Sequence, residues 1–81
     1  MPRYFIDTDD EVLLVRDEDG HDLHSLKAAR DAAHIALADM AQQKMPDGES
    51  RTFQASVRDE SGTLVYVANL KLTGEWKVAP L

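Results

Sequence analysis

One phrase occurs twice in this chain. Val15-Arg16-Asp17-Glu18-Asp19-Gly20 returns as Val57-Arg58-Asp59-Glu60-Ser61-Gly62. Each copy follows an apolar stretch, ends in glycine and leads into another structured segment. A carboxylate that can accept from nearby backbone N–H groups, set ahead of a glycine that tolerates positive φ, is turn chemistry. Two fixed turns nearly determine the architecture of an 81-residue chain, because they set which segments can pair.

Reading outward from the turns, Arg3 to Asp7 is rich in aromatic and β-branched residues and predicts a strand. Thr8-Asp9-Asp10 predicts a turn and Glu11 to Arg16 a second strand, completing a hairpin. Asp22-Leu23-His24 is a short bridge, and Ser25 suits a helix N-cap. The next twenty residues set Leu26, Ala29, Ala33, Ala36, Leu37 and Met40 on one stripe of a helical wheel. Seven alanines between Ala28 and Ala41 favour helix and keep it thin enough to lie close against a sheet. Lys44 suits the negative end of the dipole, and Pro46-Asp47-Gly48 ends the helix.

Arg51 to Arg58 alternates, with Phe53, Ala55 and Val57 on one face and Thr52, Gln54, Ser56 and Arg58 on the other. Thr63 to Leu72 forms a long final strand. The sum is an α+β fold of order β-β-α-β-β: one four-stranded antiparallel sheet with one helix packed on one face. Residues 1–81 form a single domain, with 73–81 as a tail.

One helix covers one face, yet three of the four strands carry apolar residues on both. Tyr4 and Ile6 oppose Phe5; Val12 and Leu14 oppose Leu13 and Val15; Leu64, Tyr66, Ala68, Leu70 and Leu72 oppose Val65 and Val67. A half-exposed antiparallel sheet should alternate. Burying a large aliphatic side chain is worth about 1.5–3 kcal/mol, so leaving several wet is costly for a small domain. Val65, Val67, Val12, Leu14, Phe5 and Trp76 are therefore the candidate partner-binding residues. The cover is either the chain's own tail, with Trp76 and Val78 folding back, or a second subunit or other protein. Ile35 lies about 180° from the helix's apolar stripe, beside Ala28, and adds a little weight to the second of these, although a lone exposed isoleucine is normal.

Charge is unevenly spread. Residues 1–22 hold eight acids and two bases, and the remainder seven of each, so the whole formal charge of −6 lies in the first quarter. A nucleic-acid binder needs the opposite sign. The excess reads as a solvated acidic edge, or as a surface for a basic partner or a hard cation. Without cysteine there is no disulfide, thiol nucleophile or thiolate metal site. Met1 to Asp7 holds no apolar signal-peptide core, and no apolar run approaches the roughly 20 residues of a membrane span. The expectation is a soluble cytoplasmic protein that engages neither membrane nor nucleic acid.

His21 and His24, with Asp17, Asp19 and Asp22, are the residues that could hold a divalent metal. Their spacing matches no strong motif, and they read as turn residues; His34 reads as exposed. Asp17-Glu18-Asp19-Gly20 departs from a calcium loop: its glycine stands fourth rather than sixth, and the twelfth position is Ala28, not glutamate. There is no nucleophile elbow or glycine-rich phosphate loop, and Asp9 and Asp10 sit in an open turn where nothing raises a carboxyl pKa. No catalytic residue, cofactor or enzymatic activity is expected. The leading expectation is a protein-interaction module that forms a homodimer. The alternatives are an antitoxin-like binder of a basic protein and a weak divalent-metal sensor or enzyme.

The start Pro2-Arg3-Tyr4-Phe5, the Asp17 to Gly20 turn, the helix start Ser25-Leu26-Lys27-Ala28-Ala29-Arg30 and the late Val57 to Leu64 hairpin resemble a bacterial domain-of-unknown-function family. Its members begin with a PRYFF-like strand, carry a D-x-x-G turn and continue into an L-x-x-A-R helix. The resemblance spans nearly the whole chain and implies a fold but no activity. In element order alone, two strands before an alanine-rich helix look like the fold of HicB-type antitoxins, which dimerise and occlude a basic toxin. The Pro-Asp-Leu-Pro-Gly-type motif that commonly precedes their helix is replaced here by Asp22-Leu23-His24-Ser25.

Overall fold

The computed structural model describes residues 2–44 and 49–81. Along them run β1 (Arg3–Asp9), β2 (Leu14–Val15), β3 (His21–Asp22), α1 (Leu26–Lys44), β4 (Ser50–Arg58) and β5 (Leu64–Thr73). The fold is α+β, with α1 packed on one face of an antiparallel sheet of order β2-β1-β4-β5; β3 pairs with the other end of β1.

Ser25 caps α1 as its side chain suits: its Oγ accepts the Ala28 N–H at 3.0 Å. The helix stop expected at Pro46-Asp47-Gly48 lies outside the described residues. Ala29, Ala33, Leu37 and Ala41 are buried, while Ala36 and Met40 of the expected stripe are half-buried and Leu26 is exposed. With alanine at three of those four buried positions, α1 sits close over Tyr4, Phe53, Ala55 and Val57 of the sheet. His34 on the helix reaches β5, its Nε2 lying 2.7 Å from the Tyr66 hydroxyl.

Two expectations are corrected. The second strand is only Leu14–Val15, not Glu11 to Arg16, and β1 runs on through Asp9. The cause is Asp10, whose carboxylate accepts the N–H groups of Val12 at 3.0 Å and Leu13 at 2.7 Å. Those groups are taken by a loop bond before a ladder can form. Glu11, at φ 76°, completes the kink. The presumed bridge, in turn, contains a strand: after Gly20 the chain doubles back, setting Asp22 opposite Arg3 and His21 opposite Tyr4.

Register assigns the faces. Phe5 pairs with Arg58, Asp7 with Ser56 and Asp9 with Gln54; Ser56 also pairs with Val67, Gln54 with Asn69 and Thr52 with Lys71. The face away from α1 is therefore mostly polar over the central strands. Phe5 on that face lies beneath the Arg58 guanidinium, 5.0 Å from ring centre to Cζ.

Candidate functional site

The two repeats are turns built on the same acceptor. Asp17 Oδ1 accepts the N–H of Asp19 at 3.2 Å and of Gly20 at 3.0 Å. Asp59 Oδ1 accepts the N–H of Ser61 at 3.0 Å and of Thr63 at 2.9 Å, and the Ser61 hydroxyl at 2.7 Å. Gly20 and Gly62 take φ of 75° and 87°. The serine that replaces Asp19 in the second copy thus serves the turn itself.

The copies also meet. Arg58 of the second donates to Asp7 through Nε at 2.6 Å and Nη2 at 3.0 Å, and to the Asp17 carbonyl of the first at 3.0 Å. Asp17 returns the link to β1: its N–H donates to Asp7 Oδ1 at 2.9 Å, and its Oδ2 accepts the Ile6 N–H at 3.0 Å. A second cluster lies on the helix side. Asp10 is buried, with Lys44 Nζ at 2.8 Å and an Arg51 guanidinium nitrogen at 3.9 Å. The expectation of Asp10 in an open turn is corrected: it joins the end of α1, the start of β4 and the β1–β2 connection.

Carboxylates here replace strand carbonyls. Asp17 takes the Ile6 N–H where β2 has ended, Glu11 takes the Thr52 N–H at 2.7 Å beyond the end of β1, and Glu60 takes the Arg3 N–H at 3.1 Å. Much of the acid in the first quarter is thus internal wiring rather than free surface.

Their pKa values follow. The Arg58 guanidinium holds the Asp7 carboxyl below its ordinary range. The Lys44 ammonium, with the Leu13 and Val12 N–H groups, holds Asp10 well below it. Burial pushes Asp17 up, but the Gly20 and Ile6 N–H groups and nearby His21 more than reverse that. The Ser61 hydroxyl and the Thr63 N–H lower Asp59. A carboxyl whose folded pKa lies below its unfolded value contributes stability that is present above the unfolded value and lost as pH falls through the folded one. Melting temperature is therefore expected to hold from about pH 7 to about pH 5 and to drop below about pH 4, near the unfolded aspartate pKa. Circular dichroism melts check this, and Asp10→Asn is expected to melt lower at pH 7 with a shallower acid loss. An unchanged melting temperature down to about pH 2, well below the unfolded aspartate pKa, would remove them from the stability account.

The candidate partner residues are distributed over several places. Val12 and Leu14 lie at the β2 edge, Val65 and Val67 at the β5 edge, Phe5 between them under Arg58, and Trp76 beyond β5. Trp76 Nε1 donates to the Glu49 carboxylate, so the tail meets the start of β4 rather than Phe5; Val78 is exposed. Val12, Leu13, Leu14 and Val15 form one apolar run, 85%, 56%, 70% and 49% exposed. Sequence reasoning named only half of that run, because it placed the other half on a covered face.

The metal candidates are brought into partial proximity. His21 Nε2 lies 3.2 Å from Asp17 Oδ2, but Asp22 pairs with Arg3 at 3.2 Å, and His24 is exposed. Among the described residues no three His, Asp or Glu side chains group as a metal site. No helix of the described residues is long and apolar enough to cross a membrane.

A family model described as a domain of unknown function, DUF6894, matches residues 3–71. No curated protein and no solved structure matches the chain.

Proposed function

Since the chain belongs to the DUF6894 family of domains of unknown function, its surface is the guide to its role, and we propose a non-enzymatic protein-interaction module that self-associates through the free edge of β5. The observation that carries this reading is that β5, ten residues of edge strand with one register shift near its start, between Leu64 and Tyr66, contains no acidic residue and one lysine. An edge strand is a template for another strand, and natural proteins usually blunt it with charge. On a chain of net charge −6, this is the long edge where two copies approach without like-charge repulsion. A two-fold axis across the middle of β5 would pair it antiparallel with itself, the isologous arrangement. Leu64, Val65, Val67 and Leu70, all exposed, would lose water on that pairing.

The test is mass in solution. Light scattering after size exclusion is expected to give twice the 9.0 kDa chain mass, with little dependence on salt. Val67→Glu sets like charges across the axis and is expected to give the single-chain mass, whereas Val12→Glu, at the other edge, is not. A single-chain mass for the unaltered protein at high micromolar concentration, or an unchanged dimer in folded Val67→Glu, would exclude the reading.

A further inference from the structure

The edge opposite β5 has a different character. β2 pairs with β1 on one side only, and among the described residues no strand lies on its other side. The exposed run Val12 to Val15 leads into that edge, so four apolar side chains and the short backbone edge of Leu14–Val15 face solvent together. Val15 pairs with Thr8 and hence shares its face, the face that α1 covers farther in. There a groove of about 330 Å³ opens between β1 and the helix, with Ile6 and Thr8 from the strand and Ala32, Ile35 and Ala36 from α1. Ile35, 63% exposed, explains its place off the helix's core stripe: it borders this groove.

The charge around this edge is negative. Asp9, Glu11 and Glu18 adjoin the run in sequence, and Asp39 borders the groove. None of these four forms an ion pair among the described residues, unlike Asp7 and Asp10, whose charges are met by Arg58 and Lys44, while the Asp17 carboxylate is taken up by the Ile6 and Gly20 N–H groups. Arg16 is the exposed base beside the run. A second copy of this chain would bring carboxylates against carboxylates here, and a nucleic acid would bring phosphates.

We propose that this edge binds an extended basic segment of another protein, added as a strand beside β2. Its backbone takes the free edge of Leu14–Val15, an apolar side chain enters the groove beside Ile35, and lysine or arginine side chains meet Asp9, Glu18 and Asp39. This is strand addition, in which main-chain bonds supply affinity and alternate side chains supply selectivity. The site is separate from β5, so it stands or falls independently of self-association.

The probe is a short labelled peptide alternating lysine with valine, compared with its glutamate counterpart by fluorescence anisotropy on the full chain. The basic peptide is expected to bind, more weakly as salt rises, and the acidic one is not. Leu14→Asp separates anchoring from charge. Its added carboxylate would tighten a purely electrostatic complex, whereas loss of the apolar anchor is expected to weaken binding about tenfold or more. Leu14 is exposed, so folding is retained, and Val67→Glu is expected to leave peptide affinity unchanged. Amide shifts on binding should concentrate at Val12 to Val15 and Thr8. The proposal is overturned by no binding of the basic peptide, by equal binding of the acidic one, or by tighter or unchanged binding in Leu14→Asp. Loss of self-association in Leu14→Asp would give this edge to a second copy and overturn it as well.

Discussion

Replacing Gly20 with alanine is expected to lower stability by about 2–4 kcal/mol, and Gly62→Ala by about 1–2 kcal/mol. The two glycines close equivalent turns of the repeated phrase and share a left-handed conformation, with φ of 75° and 87°. A side chain at either carries the same backbone strain, which sets the smaller figure. The difference lies in the surroundings. A Cβ on Gly20 would stand 2.9 Å from both Arg3 Cγ and Phe5 Cε2, whereas one on Gly62 would meet nothing within 4 Å. Neither neighbour of Gly20 yields easily: Arg3 is tied to the Asp19 carbonyl at 2.6 Å, and Phe5 lies under Arg58. Urea unfolding of the two variants measures the contrast. Equal losses would mean that the first turn does not press against β1.

Phe53→Ala is expected to cost about 3–5 kcal/mol, the range for emptying a fully buried aromatic site. A domain of this length has a total of about 4–12 kcal/mol at the usual per-residue stability. The change should remove between about a quarter and all of that stability. Phe53 and Val57 are the largest completely buried side chains, and the alanines facing them cannot move in to fill a void. Leu14→Ala, at an exposed site of similar hydrophobicity, is expected to shift stability by less than about 0.5 kcal/mol. Thermal melts followed by far-UV circular dichroism distinguish the two. A loss below about 1 kcal/mol for Phe53→Ala would place the core elsewhere.

The elements that were legible in sequence are those held by local chemistry. Ser25 caps the helix three residues away, Asp17 and Asp59 cap their own turns, and β4 alternates because one face is buried and the other is not. What was not legible depends on distant partners. Val12 and Leu13 have the composition of a strand, but Asp10 takes their N–H groups. That carboxylate is held in place by Lys44 and Arg51, far along the chain. His21 and Asp22 have no marked strand character and pair only because Gly20 directs them along β1.

The candidate surface was half legible for a similar reason. Counting apolar residues on both faces correctly indicated more of them than one helix covers. Parity cannot reveal that a guanidinium lies over Phe5, nor that the remaining residues divide between opposite edges. Ile35 was the available signal for the groove, since an aliphatic residue off the core stripe of an alanine-rich helix needs a neighbour of its own. The acidic quarter misled in the other direction: hydrogen bonds to backbone N–H groups occupy carboxylates that composition alone assigns to solvent.

The position of β1 between β2 and β4 has a consequence for the order of folding. β4 and β5 are joined by a short turn and can zip together from neighbouring residues. β1 meets β4 only across a wide loop, 51 residues for the Asp7–Arg58 pair. Closing that loop costs chain entropy before any contact repays it, so such pairings slow folding. The hairpin of β4 and β5 should therefore form early and serve as the template, with β1 docking late and bringing β2 and β3 with it. Arg58, at the end of β4, is placed to receive β1 through Asp7 and the first turn through Asp17. Slowed refolding in Arg58→Met, with little change when the β2 edge is altered, would be the kinetic mark of that late step.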